Sequence, residues 1–121
     1  MRRVANVDRN QAEIVDRLRQ LGCSVIPLHQ VGGGCPDLLI GFKAKGIGPC
    51  TVLMEVKDGE KPPSARVLTK DQRKFFARFR GAACVIESAD EAEQVVTAMR
   101  LGDFGVIRRA PFSDRLPYPD A

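Results

Sequence analysis

No apolar run in these 121 residues approaches the roughly 18 that a membrane-spanning helix needs. A helical membrane protein is therefore not expected. The N-terminus, Met1-Arg2-Arg3-Val4-Ala5-Asn6, has charges but no hydrophobic segment behind them. No secretory signal is read from it, and the expected location is the cytoplasm. Cysteine is scarce and never in a CxxC pair: Cys23, Cys35, Cys50 and Cys84 stand apart. Those thiols and the one histidine, His29, follow no zinc-site spacing. Reduced, structural thiols are the expectation. Internal repeats and low-complexity tracts are also missing.

What is present fits one ordinary globular domain. The length suffices to bury a single core without staples. Hydrophobic residues make up 44% and charged residues 28% of the chain, both common values. The net charge of +4 is modest, but Lys70, Arg73, Lys74, Arg78 and Arg80 crowd one segment. A basic face attracts a phosphate backbone without reading sequence. On charge alone, a solvated helix face explains the same residues equally well.

Periodicity sets the element order. Asp8 to Leu21 reads as a helix, with Ile14, Val15, Leu18 and Leu21 at helical spacing. Asp8 and Gln11 suit a capping-box start, and Gly22 suits the position past the helix end. Ser24 to Leu28 reads as a strand. Gly32-Gly33-Gly34 breaks the chain before a second strand at Asp37 to Phe42. Lys43 to Cys50 reads as a loop, and Thr51 to Lys57 as a third strand forming a hairpin with the second. Asp58 to Val67, with Gly59, Pro62 and Pro63, reads as a mobile surface loop. Thr69 opens a helix ending near Gly81, Ala82 to Glu87 is a fourth strand, and Ser88 with Glu91 caps a last helix. The expected fold is α/β: a mixed sheet of about four strands flanked by helices, in the order α-β-β-β-α-β-α. Residues 1–101 form the domain. Residues 102–121, with Pro111, Pro117 and Pro119, read as an irregular or partner-binding tail.

One strand carries chemistry. Side chains alternate along it, so Leu53, Glu55 and Lys57 share one face while Val52, Met54 and Val56 share the other and fill the core. Asp37, right after Pro36, begins the neighbouring strand and can lie beside Glu55. Two converging carboxylates, with the Val56 backbone carbonyl as a third oxygen, suit Mg²⁺ or Mn²⁺. Such a cation neutralises charge on a phosphate and acidifies bound water, while Lys57 can orient that water or steady the phosphate. The plainer reading is a cross-strand salt bridge between Lys57 and Glu55 or Asp37.

Gly34-Cys35-Pro36-Asp37 followed by Glu55-Val56-Lys57 resembles the PD-(D/E)XK nuclease superfamily, most closely its VRR-Nuc branch of small stand-alone, often phage-carried proteins. Asp8-Arg9-Asn10-Gln11-Ala12-Glu13, Asp58-Gly59-Glu60-Lys61-Pro62-Pro63-Ser64 and Leu68-Thr69-Lys70-Asp71-Gln72 resemble the same branch. The resemblance covers roughly residues 6 to 100. It implies a restriction-endonuclease-like fold, Asp37 and Glu55 as ligands of Mg²⁺ or Mn²⁺, and Lys57 as the catalytic lysine. It further implies Glu13 as an acidic residue aimed at the metal from the first helix and Gln72 as a helix glutamine near the site. DNA is the implied substrate, with four-way junctions cut by homodimers in some stand-alone members, in a bacterial or phage-infected cytoplasm.

Several residues carry competing readings. Glu13 can pair with Arg17 one turn on. Gln72 can complete a capping box with Thr69, yet it lies on the inward side with Phe75 and Phe76, where a polar group needs a buried partner. His29 is packed more often than functional. The glycine run suits a flexible turn better than a phosphate cradle. Phe75, Phe76 and Phe79 have core spacing. Lys70, Lys74 and Arg78 form a four-residue stripe which, with Arg73 and the loop residue Arg66, is the candidate DNA-backbone surface. The expected function is a metal-dependent DNA endonuclease, structure-selective for branched DNA. A non-catalytic DNA-binding or assembly module on the same scaffold is the alternative. A weaker rival is a nuclease for single-stranded DNA or RNA.

Overall fold

The computed structural model describes the backbone of residues 2–105 and the side chains of residues 9–105. Its elements run α1 (Arg2–Gln20), β1 (Ser24–Pro27), β2 (Leu38–Ala44), β3 (Gly48–Val56), a 3-10 turn (Pro63–Ala65), α2 (Lys70–Arg78), β4 (Ala83–Ile86) and α3 (Ala89–Arg100). The expected order of helices and strands is therefore the observed one. The strands form a single mixed sheet in sequence order, β1-β2-β3-β4. β1, β2 and β3 pair antiparallel, and β4 joins β3 in parallel after the α2 crossover.

Register and alternation divide the sheet residues between two faces. Val25, Leu38, Ile40, Val52, Met54 and Cys84 share one face through their pairings. α1 and α3 cover that face. They pack on each other, α3 touches β2 and β4, and Glu91 of α3 acts on the buried Cys84 thiol. Ile14 and Leu18 of α1 and Val96 and Met99 of α3 are completely enclosed there. α2 covers the opposite face, where Phe76 is 1% exposed and Leu53 8%. Both faces of β3 are therefore buried over residues 52–55. Leu53 and Glu55 belong to the core as fully as Val52 and Met54, a correction to the expected one-sided strand. The physical reason is the βαβ return, which lays a helix on the side a lone hairpin leaves wet.

Other differences are local. α1 begins at Arg2, so Asp8 lies inside the helix rather than at its cap. The expected loop over residues 43–50 shrinks to a turn at residues 45–47, because Ala44 pairs with Gly48 and the Ile47 N–H bonds to the Ala44 carbonyl. Gly46 takes φ +78° there, a conformation costly to residues with a Cβ. α2 stops at Arg78, because the backbone turns extended at Phe79, whose N–H closes the helix on the Phe75 carbonyl. α3 is capped by the Ser88 side chain, which accepts from the Glu91 N–H, while the Glu91 carboxylate accepts from the Glu87 N–H. The segment 58–67 is exposed but tied down. Arg66 pairs with Glu87 at 3.0 Å and donates to the Lys61 carbonyl, and the Gly59 N–H bonds to the Glu87 carbonyl.

The core extends past the expected boundary at residue 101. The Phe104 ring stacks on Phe42 with centroids 6.4 Å apart. The remainder of the expected tail, residues 106–121, lies outside the described residues. Among the described residues, no helix is long and apolar enough to cross a membrane.

Candidate active site

The sheet brings Asp37, Glu55 and Lys57 together where β3 ends and β2 begins. Leu38 pairs with Met54, so Asp37, one residue earlier, falls across from Glu55. The Asp37 carboxylate accepts a hydrogen bond from the Val56 N–H at 2.9 Å. In an antiparallel ladder the N–H and C=O of one residue point to the same neighbour. The Val56 carbonyl is thus on the Asp37 side of β3.

Among the described residues, Glu55 is the one charged side chain that is buried, at 3% exposure. Its Oε2 accepts from Gln72 Nε2 at 2.9 Å, whereas Oε1 is buried without a hydrogen-bond partner. A buried carboxylate oxygen with no donor turned to it is costly unless it holds a proton or a cation, and a protonated Glu55 can bond to the Asp37 carboxylate. Burial, with the neighbouring Asp37 carboxylate adding to it, pushes the Glu55 carboxyl up to about 8. Lys57 acts in the opposite sense but is outweighed. Its Nζ is 3.7 Å from Glu55 Oε2, a loose ion pair, and its short bond of 2.9 Å goes to Gln72 Oε1. The ion pair between Lys57 and Glu55 is present, then, but it runs along one strand rather than across two, and it does not neutralise the glutamate.

Gln72 fulfils both roles expected of it. Its Oε1 accepts from the Thr69 N–H at 2.9 Å, and its own N–H donates to Thr69 Oγ1 at 3.2 Å, which completes a capping box. The cap fixes which end of the amide faces which neighbour. With Oε1 turned to Thr69 and Lys57, the NH₂ end is left to Glu55. Gly34 lets α2 come this close. It has φ +80°, and a Cβ there would overlap the Asp71 carbonyl and lie 2.9 Å from the Gln72 nitrogen. Of the glycine run, Gly34 alone is a close backbone approach to the first turn of α2, and Gly32 and Gly33 face open space. Burial, with the nearby Glu55 and Asp37 adding to it, pushes the thiol of Cys35, next in sequence, up.

Among the described residues, the other expected site residues make no direct bond to the triad. Glu13 is exposed on the wall of a cleft of about 840 Å³, which Asp58, Glu60 and Glu87 also line. Among the described residues, no hydrogen bond or ion pair joins Glu13 to Asp37, Glu55 or Lys57. Nor does Glu13 take up Arg17, which bridges α1 to α3 through Asp90 at 3.0 Å and Glu93 at 2.8 Å. His29 is exposed in the β1–β2 connection. Phe76 is core, and Phe75 and Phe79 stack at 5.0 Å as packing partners.

Lys70, Arg73, Lys74 and Arg78 are all exposed on α2. At about 100° per residue, Lys70 and Lys74 lie roughly 160° around the helix from Gln72, so they point away from the triad. Arg73 is about a quarter turn from Gln72 and flanks the site. Arg66 is engaged with Glu87 and Lys61.

Sequence reasoning passed over Asn10, whose side-chain NH₂ donates to the Lys57 carbonyl at 3.1 Å across 47 positions of sequence. The available signal was weak: asparagine is a poor helix former and here lies inside a helix.

Asp37, Glu55 and the Val56 carbonyl form a hard-oxygen donor set that suits Mg²⁺ or Mn²⁺, and the unpartnered Glu55 Oε1 is the atom such an ion would satisfy. Among the described residues, no group of three or more ligating side chains is arranged around a metal position. Mg²⁺ is commonly held by one or two carboxylates, with water and substrate phosphate completing its shell, so a two-carboxylate site is sufficient. Compared with known proteins, the chain matches no family model, no curated protein and no solved structure.

Proposed function

We propose that this protein is a metal-dependent DNA endonuclease with a restriction-endonuclease-like fold, selective for branched DNA. The observation that carries the reading is a buried glutamate with one orphaned oxygen, held against a second carboxylate and a lysine at the open end of a hairpin. A packed core does not need that arrangement, and its desolvation works against folding. Perturbed carboxyls in company with a cation are what hydrolytic sites require.

Asp37 and Glu55 would hold a Mg²⁺ or Mn²⁺ ion, with the Val56 carbonyl beside them. When bound, the ion would supply Lewis-acid chemistry, acidifying water and offsetting charge on the scissile phosphate. Lys57, with 13% of its side chain exposed, brings its amino group to the site, where it can steady the phosphate or orient the attacking water. Gln72 holds that group through Oε1 and directs Glu55 through Nε2. Arg73 is the cation best placed to meet the phosphate backbone of a bound strand, with Lys70, Lys74 and Arg78 further round α2. A homodimer would present two such sites to the equivalent strands of a four-way junction.

The test is cleavage of labelled linear duplex, single-stranded, flap and four-way-junction DNA, and of matched RNA, with Mn²⁺, Mg²⁺ or EDTA. Wild type is expected to cut DNA only with a divalent cation. Lys57→Ala is expected to lose about 10²- to 10³-fold or more in rate with its melting temperature retained. Equal activity of the variant would sink the assignment. Metal-insensitive DNA binding without cleavage would favour the non-catalytic module.

A further inference from the structure

We infer that Asn10 is the positioning residue that α1 contributes to the site, holding Lys57 by its backbone while Gln72 holds it by its ammonium. The inference rests on the nuclease reading for the role of Lys57, and on hydrogen bonds alone for the clamp itself.

Lys57 follows the last residue of β3, where the ladder gives out. Its N–H still bonds to the Ile86 carbonyl at 2.9 Å. Its carbonyl has left the sheet and is met instead by Asn10 Nδ2 at 3.1 Å. Beyond it the chain turns at once into the exposed segment that begins with Asp58 and Gly59. A strand-end residue with only one ladder bond frays easily. Asn10 removes that freedom by securing the far side of the same residue.

The two clamps come from opposite faces of the sheet. α1 lies on the Met54 face and sends Asn10 to the Lys57 carbonyl. α2 lies on the Glu55 face and sends Gln72 to Nζ. Lysine has four rotatable side-chain bonds, so the position of its ammonium depends on where the backbone starts as well as on where the tip is held. Asn10 fixes the first and Gln72 the second. Glu13 lies one turn further along α1, on the cleft wall. The link between α1 and the catalytic strand therefore runs through an amide, which brings no charge to a site that already holds two carboxylates.

The amide is also suited to its target. A carbonyl needs a donor, and Asn supplies one without charge. Asn10→Asp keeps size and shape but puts an acceptor against an acceptor. Asn10→Ala removes the donor. Asn10→Gln keeps the donor on a longer stem.

The test reads the clamp with and without activity. Amide hydrogen exchange, measured without DNA or metal, is expected to accelerate about five- to tenfold at Lys57 in Asn10→Ala and Asn10→Asp, the size expected for one neutral hydrogen bond, while Leu53 and Met54 exchange at wild-type rates. In the cleavage assay with Mn²⁺, the same variants are expected to lose about five- to tenfold in kcat with KM unchanged. Asn10→Gln should recover part of both losses. In a Lys57→Ala background, Asn10→Ala should cause no further loss in rate, because nothing is left to position. Unchanged exchange at Lys57 overturns the clamp. Faster exchange with unchanged kcat in an active enzyme overturns its positioning role. Exchange that accelerates equally at Met54 shows a general loss of fold and overturns the inference as well. If wild type cuts no substrate, the nuclease reading fails, and with it the catalytic meaning of the clamp; the exchange data still decide whether Asn10 holds Lys57.

Discussion

Replacing Glu55 with glutamine should stabilise the metal-free protein at neutral and alkaline pH while removing its activity. In the native state the Glu55 carboxyl is pushed up to about 8, chiefly by burial and then by Asp37, from an ordinary 4.5. The folded protein therefore keeps this proton over a range in which the unfolded chain has lost it. Stability falls wherever the folded state binds more protons than the unfolded one and pH rises. The contribution is complete below about pH 4.5 and is lost progressively as pH climbs through about 8. Each unit is worth 1.36 kcal/mol, so raising the pH from 5 to 8 should cost wild type about 3 kcal/mol from this residue. For a domain of this size that is roughly 12 °C in melting temperature. Glu55→Gln is isosteric and cannot ionise, and its new NH₂ can donate towards the Asp37 carboxylate. Thermal or urea unfolding in EDTA at pH 5, 6, 7 and 8 should show wild type falling steeply and the variant falling less, with the variant the more stable above neutrality. Mn²⁺ at pH 8 should raise the melting temperature of wild type and leave the variant unmoved. Parallel pH curves for the two proteins would refute the account of Glu55 as a strained, proton-holding core residue.

Four further expectations follow from the site and its surroundings. Gln72→Leu removes bonds to Glu55, Lys57 and Thr69 together, and is expected to cost about 1–2 kcal/mol in urea unfolding and most of the cleavage rate. Thr69→Ala, which takes only the Thr69 hydroxyl from the cap, is expected to cost about 1 kcal/mol and leave the rate within a few-fold of wild type. Gly34→Ala forces a Cβ into the α2 backbone at positive φ, and should lower stability by more than about 2 kcal/mol in the same measurement. Arg73→Ala should weaken DNA binding and reduce the slope of log affinity against log salt by about one, with Lys74→Ala changing the slope less, because Lys74 faces away from the triad.

The elements and their order were legible in the sequence because each rests on local chemistry. Ile14, Leu18 and Leu21 recur at helical spacing, Thr69 and Ser88 carry cap oxygens, and Gly46 marks a turn. Where neighbours in space decide, local reading fell short. The residue 43–50 stretch reads as loop from its glycines and proline, yet pairing with β2 draws most of it into the sheet. The β3 alternation correctly put Glu55 and Lys57 on one face, but nothing local said that α2 would roof that face and leave the glutamate at 3% exposure.

The candidate site divides in the same way. By itself the sequence determined which residue types are available: an Asp opening one strand, a Glu and a Lys two apart on the next, and a glutamine at the third position of a capped helix. Period-two alternation and a three-residue cap spacing are properties of the backbone, so they can be read without a fold. Only the tertiary structure decided which of those groups meet. It joined Gln72 to both Glu55 and Lys57, turned Lys70 and Lys74 outward, left Glu13 on a cleft wall, and brought Asn10 to the Lys57 carbonyl. Contacts across 15 to 47 positions depend on register, crossover and helix rotation. Those are fixed by the packing of the whole core and by no single segment of the chain.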